Sequence, residues 1–196
     1  MPFDTSTIAA RRRPHGMPFR IDKIGHVVLQ VADMARSVDF YVNVLGLEVS
    51  DVYGDDMMPG GMVFLRFNPD HHGIALVGGL DGPSQNIDLN HVAFEVATLD
   101  EVFRAREHLQ AAGAQIDFDG RRRAGCQFAV EFRDPDNHRL EIYYGIDQIG
   151  TEGVARPGAQ WKGARSLEAA VADPVEGQDA TVLDQSLLRD GQGAKS

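Results

Sequence analysis

Arg133-Asp134-Pro135-Asp136-Asn137-His138-Arg139-Leu140-Glu141-Ile142-Tyr143-Tyr144 is the stretch from which the fold is read. Asp-Pro-Asp-Asn carries turn chemistry, because proline presets φ while Asp and Asn bond back to the local backbone. The flanking runs, Phe128 to Phe132 and Leu140 to Tyr144, have strand composition, so the stretch predicts a hairpin. Alternation in the second strand places Leu140 and Ile142 on one face and Glu141 and Tyr143 on the other. A carboxylate among apolar neighbours needs a partner, since an unpaired buried charge is costly.

The chain around this hairpin repeats itself. Gly25 to Val31 and Asn90 to Val96 are alternating segments with histidine second, His26 and His91. Each is followed by a stretch with helical spacing, Met34 to Leu45 and Leu99 to Ala112, ending at Gly46 and Gly113. Strands follow at Leu47 to Val52 and Ala114 to Phe118, then strand pairs around a proline–aspartate turn: Val63 to Phe67 with Gly73 to Val77, and the hairpin above. Each unit reads βαβββ. The fold class is α+β, two tandem βαβββ modules forming a cupped mixed β-sheet, about 21–80 and 86–146, within a paired domain spanning 21–146. A basic arm precedes it (1–20, with Arg11, Arg12, Arg13 and Arg20), read as flexible, and a C-terminal extension follows (147–196). In that extension Ser166 to Ala172 predicts a short helix capped by Ser166, and composition after about 177 predicts poor order.

Registering the copies gives the site. His91 follows His26 by 65 positions (91 − 26), while Pro135, Asp136 and Glu141 follow Pro69, Asp70 and Ala75 by 66. The histidine therefore occurs twice and the carboxylate once. The wholly apolar faces, Val27-Leu29-Val31 and Val92-Phe94-Val96, belong against the helices, which aims both histidines and Glu141 at the opposite, concave side. Two imidazoles and one carboxylate with positions left open fit a first-row metal such as Fe(II). Read singly, such a histidine is a core residue and such a glutamate meets solvent or arginine. Their equivalent placement in a repeat favours the metal.

Composition bounds the alternatives. The chain has 196 residues, a net charge of −10, 43% hydrophobic residues and one cysteine, Cys126. The acidic balance argues against nucleic acid, whose binding depends on neutralised phosphates. No segment approaches the ~20 apolar residues of a membrane span, and a lone cysteine fits a reducing, cytoplasmic setting.

The segments HVVLQVADMARSVDFYVNVLGLEV (26–49) and FRDPDNHRLEIYY (132–144) resemble the vicinal oxygen chelate superfamily, which includes glyoxalase I, bleomycin-resistance proteins and extradiol ring-cleavage dioxygenases. HHGIALVGG (71–79), NHVAFEV (90–96) and RPGAQWKGARSLEAAVADPV (156–175) are similar to the catalytic domain of type I extradiol dioxygenases. The resemblance implies His26, His91 and Glu141 as ligands of Fe(II), with Mn(II) as the alternative ion. It implies His72 as the proton-handling residue, a catecholic substrate with O₂, and a homo-oligomer. Glyoxalase-like members take a fourth ligand where Ala75 stands, which favours the dioxygenase. Strict alternation turns His72 towards the core, and its place at a strand entrance allows the loop to re-aim it. The family's second histidine and tyrosine are replaced by Arg122 and Glu131. Arg122, Glu131 and Tyr143 are the substrate-contact candidates, with the Arg121–Arg123 loop as a counter-charge for a substrate carboxylate; Tyr144 and Trp161 are further candidate aromatic walls. A glyoxalase-type isomerase or lyase, and a metal-free small-molecule-binding protein, are the other readings of the same fold.

Overall fold

A computed structural model describes residues 4–12, 24–85, 89–148 and 156–188. In the first module β1 (Val27–Gln30) leads into α2 (Met34–Asp39), then β2 (Glu48–Tyr53), β3 (Met62–Arg66) and β4 (Ile74–Val77). The second repeats the order with β5 (Val92–Glu95), α3 (Leu99–Ala111), β6 (Ile116–Arg121), β7 (Phe128–Arg133) and β8 (Arg139–Tyr144). A short α1 (Thr5–Ala9), capped by Asp4, precedes them. Of the basic arm, Arg13 and Arg20 lie outside the described residues.

The modules form two four-stranded mixed sheets, β1-β4-β3-β2 and β5-β8-β7-β6, in which the first strand runs parallel to the last. The registers superpose the repeat: Val28 pairs with Ala75 where Ala93 pairs with Glu141. Both sheets even slip register at corresponding points, between Val49 and Asp51 and between Ile116 and Phe118. The α3 N-terminus is a capping box, Thr98 and Glu101 satisfying each other's backbone N–H. The predicted helix over 34–45 differs in its second half. From Phe40 to Val44 it widens into a π-turn, with Leu45 N–H donating to Phe40 C=O at 3.2 Å. Gly46 then leaves it at φ +73°, a left-handed cap.

One continuous core joins the modules. Leu29, Val31, Tyr41, Leu65, Ile74 and Leu76 of the first pack in the same cluster as Val102, Phe103, Phe128, Val130, Phe132 and Leu140 of the second. The Asp-Pro-Asp-Asn turn locks them polar group to polar group. Asp136, fully buried, accepts from Ala32 N–H at 2.8 Å and Arg36 Nη2 at 2.9 Å, and also from the Ser37 hydroxyl. Asp134 accepts from the N–H groups of Asp136 and His138, and its other oxygen meets Tyr41 Oη at 3.0 Å and His138 Nδ1 at 2.9 Å. Burial, then Asp134, push the Tyr41 phenol well above its usual range.

The C-terminal extension packs on β6. As the sequence predicts, α4 (Leu167–Ala172) is capped by Ser166. Arg121, 2% exposed, donates to the carbonyls of Lys162, Ala170 and Asp173 and to Gln178 Oε1. Gly120 sits at φ +137°, and a Cβ there would stand 2.2 Å from Ala164 O, so the close approach requires glycine. The structure differs from the composition reading after 177. As far as Leu188 the chain is packed, with Val182 and Leu187 in the core and the Asp100 carboxylate accepting from the N–H groups of Leu183 and Asp184. Scattered apolar residues in a polar stretch dock because α3 offers a complementary carboxylate; residues 189–196 lie outside the described residues.

Asp136→Ala is expected to cost about 3 kcal/mol, since it strands three donors, lowering the melting temperature by about 6–12 °C. Arg36→Met, removing a half-exposed partner, should cost under about 1 kcal/mol. Equal shifts in the two thermal melts would contradict the inter-module lock. Truncation after residue 177 is expected to cost about 3 kcal/mol or more from Val182 and Leu187 alone, measured by chemical denaturation; an unchanged midpoint would show that this segment contributes nothing.

Candidate metal centre

Sheet parity builds the site. The row Ala93–Glu141–Glu131–Phe118 runs across the second sheet with its side chains on the face away from the core, and Glu95–Tyr143–Ala129–Gly120 is the next row. Glu141 is 1% exposed. One of its oxygens accepts from Gln127 Nε2 at 3.1 Å and the other lies 3.5 Å from His91 Nε2. His91 sits just before β5, and its Nδ1 is engaged by Asn90 Oδ1 at 2.9 Å, which turns Nε2 towards Glu141.

Two donors on one ion, each bonded at about 2.1 Å and roughly a right angle apart or slightly wider, stand about 3.0–3.5 Å from each other. His91 Nε2 and Glu141 fit that spacing. Gln127 Oε1 is buried with no partner, a further polar atom left over beside the carboxylate. The donor chemistry, imidazole and carboxylate, suits Fe(II) or Mn(II).

The first module holds the other half. His26 and His72 stand with ring centroids 4.5 Å apart, and Phe64 packs on His72 at 4.9 Å. Phe64 shares its row with Ala75 and Val28, so His72 lies on the His26 face. The loop re-aims it away from the core, as its position at the strand entrance allowed. His72 Nδ1 and His71 Nδ1 are 2.9 Å apart. Burial, then His26 and His71, pull the His72 pKa below its ordinary value. No group of three or more His, Cys, Asp or Glu side chains spaced to hold one ion occurs among the described residues. The structure thus brings His26 to His72 and His91 to Glu141, and does not bring the pairs together.

The substrate-contact candidates fall as follows. Arg122 stacks over Phe118, 3.7 Å from the ring centroid, and donates from Nε and Nη2 to both Glu131 oxygens at 2.5 and 2.6 Å. It is therefore not the uncommitted counter-charge that the arginine triplet suggested, and Arg121 is buried in the tail contact. β6 extends to Arg121, so strand alternation sends consecutive arginines to opposite sides. Tyr143, half-buried, shares the Glu141 face, and burial followed by Glu95 and Glu141 raises its phenol pKa. Tyr144 turns the other way and donates to Asp179 at 2.9 Å, while Trp161 donates to Arg156 C=O. Sequence reasoning missed Gln127; its only sequence signal is a place just before β7, near the end of β8.

Residues 23–142 match the family described as the Glyoxalase/Bleomycin resistance protein/Dioxygenase superfamily. Among curated relatives, a manganese-dependent 2,3-dihydroxybiphenyl 1,2-dioxygenase of Geobacillus genomosp. 3 is 29% identical over 135 residues, covering 67% of this chain and 39% of that protein. A biphenyl-2,3-diol 1,2-dioxygenase of Pseudomonas sp. (strain KKS102) is 33% identical over 125 residues, covering 62% and 41%. This chain thus spans about two fifths of the length of these relatives. Among solved structures, the fosfomycin resistance protein FosX of Listeria monocytogenes shares the fold, with a TM-score of 0.52 at 24% identity over 63% of this chain and 94% of that one.

Proposed function

Because the chain belongs to the glyoxalase/bleomycin resistance protein/dioxygenase superfamily, we propose that it is a divalent-metal enzyme whose reaction is the extradiol cleavage of a catechol-type ring by O₂. The observation that carries this reading is the buried Glu141 aimed at His91, with Ala75 in the corresponding place of the other sheet. One carboxylate and two histidines would then hold each ion, a donor set suited to Fe(II) or Mn(II). The names of the two dioxygenase relatives support the same chemistry.

The third ligand, His26, is supplied by a second copy of the chain. Among the described residues β1 and β5 are each the outermost strand of their sheet, and each has its histidine just before it. An isologous pair that sets β1 of one protomer beside β5 of its partner makes two identical sites and covers both edges. Each site then joins His26 and His72 of one copy to His91 and Glu141 of the other. Fe(II), or Mn(II), bound there supplies a common centre for the two hydroxyl oxygens and O₂. The two imidazoles are neutral and the carboxylate carries one charge, so the set leaves about one positive charge for a catecholate monoanion. Tyr143, on the Glu141 face, walls the side on which the ring lies. His72, its Nδ1 engaged with His71, keeps Nε2 to take the substrate's hydroxyl proton and return it.

His91→Ala and Glu141→Ala should each lose most bound metal by elemental analysis while the fold survives; full occupancy in either would remove the ligand assignment. An equimolar mixture of His26→Ala and Glu141→Ala protein, after subunit exchange, should recover about a quarter of wild-type metal, because half the dimers then carry one intact site of two. No recovery, with exchange shown by mass tags, would place the site within one chain.

His72→Phe should retain metal and catechol affinity but slow O₂ consumption by about 10²- to 10⁴-fold. Unaltered oxygen uptake would reduce His72 to a turn residue. A wild-type protein that binds metal and consumes no O₂ with any catechol would turn the assignment to an isomerase or lyase.

A further inference from the structure

The pair Arg122–Glu131 stands where the fold's dioxygenase resemblance leads one to expect neither charge, and its geometry asks for a reason. Glu131 and Glu141 are direct cross-strand partners on the same face of the sheet. Like charges so placed repel, since directly opposed residues on neighbouring strands have their Cβ atoms about 4.5–5.5 Å apart. A second carboxylate there is also a candidate for the ion itself. Arg122 prevents both outcomes. Both Glu131 oxygens are taken by a side-on, two-point guanidinium contact at 2.5 and 2.6 Å. The guanidinium is fixed in turn by Phe118, whose ring it covers at 3.7 Å. Two nearby charges with a common orientation, locked by an aromatic plate, form a neutral unit beside Glu141. The hydrogen bonds to Glu131, and beyond them the charges of Glu131 and Glu141, raise the Arg122 pKa against the burial that lowers it.

We propose that Arg122 is a positioning residue that keeps Glu131 out of the metal's ligand set and cancels its charge, so that in the row Ala93–Glu141–Glu131–Phe118 the carboxylate left to the ion is Glu141. The inference rests on the metal reading above and adds a residue and a selectivity to it. The flank of the site over β7 is then electrically neutral but rich in acceptor lone pairs, since each Glu131 oxygen keeps one. Such a flank favours a ring whose substituent there is uncharged or carries a hydroxyl or amino donor. It disfavours a carboxylate substituent, which would have to displace Glu131 from Arg122.

The two halves of the pair make opposite predictions, which a merely structural salt bridge does not. Mn(II) affinity is measured by competition with a chelator at one fixed pH and ionic strength, on the full-length chain. Arg122→Met exposes the Glu131 charge and should tighten Mn(II) about tenfold; Glu131→Gln frees the Arg122 charge and should weaken it about tenfold. The double variant Arg122→Met/Glu131→Gln should return to within about threefold of wild type. Chemical denaturation midpoints of all three serve as the fold control. Binding of a carboxylate-substituted catechol relative to its uncharged parent should rise in Glu131→Gln and not in the double variant. Singles that both leave Mn(II) affinity unchanged, or both weaken it without cancelling in the double, overturn the proposal. Wild-type protein that binds neither Mn(II) nor Fe(II) overturns the metal reading first and this inference with it.

Discussion

Everything positioned by the two sheets depends on one buried carboxylate crossing from module to module. Asp136 leaves the turn before β8 and is satisfied wholly by the turn after β1 and the start of α2, through Ala32, Arg36 and Ser37. An unpaired carboxylate in that place would cost several kcal/mol of desolvation, so the contact is strongly selective for one relative placement of the halves. Asp134 adds Tyr41 to the same arrangement. The π-turn from Phe40 to Val44 belongs to this account, because Tyr41 must be fully buried and also present its hydroxyl to Asp134. The hairpin that builds Glu141 into the site is thus the same hairpin that fastens the modules together.

That double duty explains why so much was legible in one dodecamer. Turn residues are local, and alternation on either side fixes the faces, so β7, β8 and the orientation of Glu141 followed directly. The repeat was legible because its marks are periodic: the histidine ahead of each first strand, the glycine after each helix, the proline–aspartate turn. Pairing of Ala75 with Val28 and of Glu141 with Ala93 reproduces the register read from spacing alone. His72 showed the limit of alternation, since a residue outside the strand proper obeys its loop.

What the sequence did not disclose is long-range or combinatorial. Parity states which face His26 and His91 occupy but not how one module's face lies relative to the other's; that is settled by the Asp136 contact and the shared core. The arginine triplet read as one basic loop because charge is counted by residue, whereas burial is decided by the strand's pleat. The docking of residues 178–188 could not be read from their polar composition, because it depends on the Asp100 carboxylate, some 80 positions away in sequence, meeting two backbone N–H groups.

The arginines also tie the tail to the site. On β6 the pleat sends Arg121 into the carbonyls of the C-terminal extension and leaves Arg122, one residue on, over Phe118 and Glu131. Gly120 lets the extension come so near that its backbone pairs with the strand, Arg121 and Ala164 exchanging two hydrogen bonds of 3.0 Å. The segment that presents Arg122 is therefore held from behind by the extension. A guanidinium free to choose among rotamers would screen Glu131 only part of the time, and a strand end pinned on its far side restricts that choice. The extension's contribution to the site is thus exerted through β6, by fixing where one charge stands, and needs no residue of its own to reach the open face.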